Sequence, residues 1–330
     1  MAEHSVYECE TEYTSTFNAL GFSRARLCSD GAHVKSAIRS SRQDRARVRK
    51  CIAGAIYGLY ALGQGLDWRE GCQAAVDLVC AIPDELIDAS EELDVMFGTA
   101  GLSLVVTSIL KIEQNAALRA KAEIVSRKLE KQVLAFIHEG IKNVGFGHGL
   151  GGIVAAIVRA EKTVRRFGEV DVLKLIEQLA RAIDQDISVE AATVLPLSWC
   201  NGLAGALVGL AEAHSQYPRV VDSPLINAWQ SAMKFVGANR VSATLCCGSL
   251  GLVQAGLRIS KLTGDKAIGV DAVRIFEQAT SEDTFWESFG TDGLHSSMRF
   301  GLFQGLAGLA ETAAACSRDT CRSICALDFA

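Results

Sequence analysis

Only four prolines interrupt the 330 residues, at Pro83, Pro196, Pro218 and Pro224, and no linker or low-complexity stretch divides the chain. That scarcity removes the usual marks of a domain boundary and favours one large helical domain over two average ones. Positive charge is not in excess either. The formal net charge is -5, which leaves no electrostatic footprint for nucleic acid. The local run Arg39, Arg42, Arg45, Arg47, Arg49, Lys50 is expected to be a solvated helix face. Met1 to Tyr13 lacks the basic and apolar parts of a signal peptide, so a cytoplasmic location is expected. No run reaches the roughly eighteen consecutive apolar residues of a membrane span. Paired carboxylates suited to sugar hydrolysis are not evident. In a reducing compartment the eleven cysteines are unlike a disulfide framework, which brings forward metal binding, catalysis or core packing.

What the chain does have is apolar residues, 49% of the total, and thirty glycines. The glycines fall into a repeat. A G-x-x-G element occurs at Gly98–Gly101, Gly149–Gly152, Gly202–Gly205, Gly248–Gly251 and Gly305–Gly308, with starts 51, 53, 46 and 57 residues apart. Each is followed by a run of small and aliphatic residues, such as Gly202 to Ala211, that suits a helix buried all round. Amphipathic segments stand between them: Val125, Leu129, Val133 and Ile137 in one, Val172, Ile176, Leu179 and Ile183 in another. A weaker copy, Gly54 to Gly58, lies about one period upstream and brings the total to six helical hairpins. The expected fold is all-α, a ring or solenoid of inner and outer helices in which glycines let inner helices approach closely. Residues 1–49 form an unassigned N-terminal segment, and 50–330 the repeat domain.

The residues just before each first glycine differ from copy to copy, and they open the inner helices at one end of the array. They read Asp94-Val95-Met96-Phe97, Gly145-Phe146-Gly147-His148, Ser198-Trp199-Cys200-Asn201, Thr244-Leu245-Cys246-Cys247 and Gly301-Leu302-Phe303-Gln304. Such loops converge if the array closes, which would bring Asp94, His148, Cys200, Cys246 and Cys247 together. Three thiols at helix N-termini suit zinc, because the helix dipole favours thiolate and zinc takes sulfur tetrahedrally. Three protein ligands leave the fourth position open, as catalytic zinc requires. His148, flanked by glycines, suits a general acid or base; a capping or core histidine is the alternative. Asp94 is either a helix cap or a functional carboxylate. Cys9, Cys28, Cys51, Cys72, Cys80, Cys316, Cys321 and Cys325 are expected in the core.

At Gly145-Phe146-Gly147-His148-Gly149, Trp199-Cys200-Asn201-Gly202, Cys246-Cys247-Gly248 and Gly301-Leu302-Phe303-Gln304-Gly305-Leu306-Ala307-Gly308, the chain resembles the lanthionine synthetase C-like family. It is most similar to the C-terminal cyclase domain of class II lanthipeptide synthetases (LanM), from about residue 50 onward. The resemblance implies an α/α toroid of seven hairpins, of which six are recognisable here. It also implies Zn2+ on Cys200, Cys246 and Cys247, and closure of thioether rings in a dehydrated precursor peptide. Protonation of the enolate would fall to His148, and Asp94 would receive the thiol proton or orient the peptide. The large dehydratase domain of a full LanM has no counterpart in this sequence, so either the chain is a stand-alone cyclase with a separate dehydratase as partner, or it is a fragment or diverged relative in which residues 1–49 replace part of the ring. Cys247 stands where most members have histidine, as in a three-cysteine subgroup with CCG, and the extra thiolate should make the substrate thiolate more reactive. Asn201 replaces a tyrosine or histidine of some members. Two other readings remain: addition of glutathione or another free thiol, and a non-catalytic peptide-binding scaffold kept rigid by zinc.

Overall fold

Each apolar run that follows a G-x-x-G element is a helix, and each amphipathic segment is a second helix laid over it. The computed structural model describes residues 42–139, 143–165, 167–168, 170–188, 197–238, 243–281, 302–303, 305–317 and 323–329. In chain order these hold α1 (Arg42–Gly65), α2 (Arg69–Ala81), the short α3 (Asp84–Asp88), α4 (Thr99–Ile112), α5 (Ala116–Glu139) and α6 (Leu150–Thr163). They continue with α7 (Val172–Ser188), α8 (Leu203–His214), α9 (Pro218–Ala238), α10 (Ser249–Thr263), α11 (Lys266–Ala279) and α12 (Leu306–Ser317). No strand occurs among the described residues. The fold is an α/α toroid: α1, α4, α6, α8, α10 and α12 pack one against the next as the inner layer. Outside them lie α2, α5, α7, α9 and α11, each against its own inner helix. The side chains of the basic run ending at Lys50 lie outside the described residues, as do Gly301 and Gln304.

Burial follows the sequence pattern. Every residue of α4 from Thr99 to Leu110 is buried, and so is every residue of α6 from Leu150 to Ala160 and of α8 from Leu203 to Ala213. Among the residues of the outer α7 whose side chains are described, Val172, Leu175, Ile176, Leu179, Ala180 and Ile183 are the buried ones, a stripe at helical spacing.

The glycines have a more specific use than close helix approach. In all five copies a Cβ on the second glycine would lie under 3.0 Å from one carbonyl oxygen, that of the residue three before the first glycine. These carbonyls belong to Val95, Phe146, Trp199, Leu245 and Leu302. The loop therefore folds back onto the first turn of the helix it opens. Close approach between helices is also present, where Gly209 of α8 faces Gly151 of α6. The weaker copy differs: Gly54 and Gly58 lie inside α1 rather than before it, and a Cβ on Gly58 would meet open space.

Residues 323–329 form a clasp under the opposite rim, where the inner helices end. A turn of 3-10 helix (Ile324–Ala326) leads into Leu327, which takes a left-handed conformation with φ 48°. The Leu327 carbonyl accepts from Ser108 Oγ (2.8 Å) of α4 and Arg159 Nη1 (3.1 Å) of α6. Asp328 pairs with Arg258 of α10 at 2.6 Å and with Lys111 of α4 at 3.3 Å. Phe329 stacks on Tyr57 of α1, ring centroids 4.7 Å apart. Ser108, Arg159, Glu212 and Arg258 all stand ten residues after the first glycine of their copy, so the repeat itself places a polar layer inside otherwise apolar helices. Within it Glu212 joins Arg159 at 3.0 Å and Arg258 at 2.6 Å.

Burial alone would raise the Asp328 carboxyl, but Arg159, Arg258 and Lys111 outweigh it and hold the group well below the usual carboxylate range. A depressed pKa contributes stability that is present above the unfolded value, about 3.9, and is lost as pH falls through the folded value. Asp328→Asn is expected to lower stability by about 3–5 kcal/mol at pH 7, because it strands buried cations. The gap from wild type should narrow below about pH 4, which urea titrations at pH 7 and in acid will measure. Gly205→Ala should cost at least about 3 kcal/mol, since the Trp199 carbonyl cannot yield without moving its loop. Gly58→Ala should gain up to about 1 kcal/mol in the same assay.

Candidate metal centre

The loops that open the inner helices are laced into a belt by main-chain hydrogen bonds, each loop donating to the next. Val95 and Met96 donate to the Gly147 carbonyl, Phe146 to Trp199, Trp199 to Cys246, and Leu245 and Cys246 to Phe303. The Trp199 indole, buried and flanked by Phe146 and Phe303 at ring distances of 5.5 and 5.3 Å, adds a brace from below. Its Nε1 donates to the Cys325 carbonyl of the clasp at 2.8 Å. Trp199 thus ties the loop of Cys200 to the loops on both sides and to the far end of the inner helices.

This belt brings the three cysteines together. Their sulfurs are separated by 3.1 Å (Cys246 to Cys200), 3.4 Å (Cys247 to Cys246) and 4.0 Å (Cys200 to Cys247). A tetrahedral metal with bonds of about 2.3 Å sets its sulfurs about 3.8 Å apart, and the observed spacings lie on either side of that. All three are free thiols. Cys200 is buried, Cys246 half-buried and Cys247 exposed, so the cluster opens on one side only. As thiols they oppose one another's ionisation. Hydrogen bonds with Cys200 and then Cys247, followed by burial, push Cys246 far above the ordinary thiol range. Cys200 is pushed up to about 11: the bond from Cys246 acts downward, but Cys247 and burial together outweigh it. A cluster that resists ionisation alone is stabilised by a cation that takes the place of the protons. Sulfur donors in this number suit a soft or borderline metal such as zinc.

His148 stands beside the cluster. Its amide donates to the Cys200 carbonyl at 3.0 Å, and the space of a Cβ on Gly147 would be filled by Cys200. The ring is held by Asp94, whose Oδ2 lies 2.7 Å from His148 Nδ1. Asp94 Oδ1 accepts from the Phe97 amide at 2.7 Å, and the Phe97 ring tilts over the imidazole at 5.6 Å. Asp94 therefore caps its own turn and contacts the His148 imidazole at the same time. With Nδ1 engaged, Nε2 is the nitrogen left to exchange protons. Asn201 is tied to Asn143 across the loops. Cys72, Cys80, Cys316 and Cys325 stand apart from the cluster, and Cys9, Cys28 and Cys321 lie outside the described residues, as does the side chain of Cys51.

Sequence reasoning brought Asp94, His148 and the three cysteines to one rim, and missed the clasp and its bond to Trp199. One signal was present: charged residues at the tenth position of three apolar runs, where nothing apolar explains them.

Fold and rim together define a helical toroid carrying a three-thiol cluster beside a histidine–carboxylate pair. A family model described as lanthionine synthetase C-like protein matches residues 33–321, and the chain belongs to that family. No curated protein matches the chain in sequence. Among the 11 solved chains that match is nisin cyclase, at a TM-score of 0.57 and 16% identity over 79% of this chain and 74% of that one. At that identity the likeness is one of fold.

The cluster predicts one bound divalent metal ion per chain by elemental analysis. Cys200→Ala and Cys246→Ala should each bring that content below about a tenth, because two remaining thiolates make an incomplete donor set. Protein that folds normally and carries no metal would refute the assignment.

Proposed function

We propose that this chain is a zinc-dependent lanthipeptide cyclase of the LanM type, which closes (methyl)lanthionine rings in a dehydrated precursor peptide supplied by a separate dehydratase in the cytoplasm. The observation that carries the reading is the juxtaposition of three metal-competent sulfurs with a histidine already oriented by a carboxylate. Family membership supports it, and so does the CCG sequence at Cys246-Cys247-Gly248.

Zinc on Cys200, Cys246 and Cys247 would supply Lewis acidity that favours the thiolate form of a peptide cysteine at neutral pH. The protein's own residues handle the proton. His148 accepts it at Nε2 as the thiol is engaged, and Asp94 stabilises the resulting imidazolium through Nδ1. The sulfur bonds to Cβ of dehydroalanine or dehydrobutyrine, the double bond opens toward the amide, and His148 returns the proton to Cα. Every atom of the substrate is retained. The peptide loses one free thiol and keeps its mass. Asp94 acts here through His148 rather than on the peptide, a role that its 2.7 Å contact favours over the two that sequence resemblance implied.

The test is incubation with a dehydrated cysteine-containing peptide, followed by thiol alkylation and mass spectrometry. Loss of the alkylatable thiol without mass change is the expected result. Adduction of added glutathione in its place would identify the free-thiol reaction, and no change with metal in place would leave a scaffold; either outcome overturns the proposal. His148→Asn should lower the rate by about 100-fold or more, and Asp94→Asn by about tenfold or more, with metal content unchanged. Cys247→His should retain zinc and cyclise more slowly, since a neutral imidazole donates less charge than a thiolate.

A further inference from the structure

At the rim opposite the thiols, between the ends of α4, α6, α8 and α10, lies a cavity of about 180 Å³ that the cyclase reading leaves unused. Its lining includes Lys111, Arg159, Lys162, Arg258 and Lys261, opposed by Glu212 and Asp328. Five cations thus face two carboxylates, in a chain whose net charge is -5. The two carboxylates are already shared. Glu212 serves both arginines, and Asp328 serves Arg258 and Lys111. Both acids are held below the usual carboxylate range despite burial, so they stay ionised at neutral pH. Lys162 and Lys261 are exposed at the edge and meet no carboxylate among the described residues.

Lysine in the last turn is what a helix carboxyl end favours by itself, and each end carries about half a negative charge. Four such ends offset about two of the three surplus charges and leave the basin positive. They do not explain Arg159. Only 2% of this residue is exposed, yet its Nε has no hydrogen-bond partner. A buried guanidinium nitrogen without an acceptor is costly, and it adds to the excess of donors over acceptors around the cavity. Burial first, and then the Arg159 guanidinium, lower the Lys111 ammonium, while Asp328 and Glu212 act the other way.

We propose that this basin binds one phosphate group, with Arg159 and Arg258 at its floor and Lys111, Lys162 and Lys261 around its mouth. Several donors at different heights around one small volume suit an anion with several oxygens better than a halide or a single carboxylate. The volume holds a phosphate group, and any nucleoside attached to it would stand in solvent beyond the lysines. Because the same floor grips Leu327 and Asp328, the bound anion would also fasten the clasp. The proposal is independent of the cyclase reading.

The experiment uses the full chain with its metal and measures equilibrium dialysis of radiolabelled inorganic phosphate, alongside thermal melting against sodium chloride at matched ionic strength. One saturable site per chain and a higher Tm in phosphate are expected. The double variant Lys162→Ala/Lys261→Ala changes only exposed side chains and should bind at least about tenfold more weakly while melting as wild type does in chloride. A nucleoside monophosphate binding more tightly than phosphate would point to a phosphate ester as the natural source, and equal binding to the free ion. No saturable binding, binding unaffected by the double variant, or acetate as effective as phosphate would each overturn the proposal. None of these outcomes bears on ring closure.

Discussion

In each repeat a main-chain carbonyl lies where the side chain of the second glycine would begin. That contact turns the preceding loop back over the first turn of its own helix, so the loop cannot spread away from the ring. Once turned back, it presents an amide to the neighbouring loop, and the same step is taken from Val95 through Phe146 and Trp199 to Leu245. The belt that results is made of backbone alone. Side chains between its fixed points are then free to vary, which is why one loop carries Asp94, the next His148, and the next two the cysteines. Chemistry has been distributed over a frame that does not depend on it.

The two rims divide the work of the molecule. At one, the backbone belt gathers the sulfurs of Cys200, Cys246 and Cys247 to within reach of a single metal ion. At the other, arginines and carboxylates from the same helices are held to residues 323–329, and the hydrogen bond from Trp199 to Cys325 joins the two ends through the core. Under the mechanism proposed above stiffness matters at the thiol rim, because a misplacement of about 1 Å can cost ~100-fold in rate. Asp94 contributes to it twice, once to the Phe97 amide and once to His148.

How much of this could be read from residues alone depended on whether the signal was periodic. Inner helices announced themselves through small-residue runs, outer helices through stripes such as Val172, Ile176, Leu179 and Ile183, and the thiols through their shared place ahead of a glycine. Gly54 and Gly58, the weaker copy, still marked a real hairpin, α1 with α2, although they lie inside α1 rather than ahead of it. Asp328 carries no periodicity at all. Its partners lie 70 and 217 positions away, and no local pattern encodes such a pairing. Arg159, Glu212 and Arg258 were visible as charges in apolar helices, yet the group that completes their layer could be found only in space.

The clasp gives the polypeptide a folding order. Pairs such as α1 with α2 or α10 with α11 join neighbours in sequence and can form early, whereas Phe329 must find α1, and Leu327 must find α4 and α6, across most of the chain. Those long-range contacts come late, since the entropy of closing such loops is lost before their contacts repay it. The Trp199 brace is among them. The thiol rim therefore reaches its final rigidity only when the last of the described residues have docked, and a chain arrested before that step would hold its cysteines close together but unbraced.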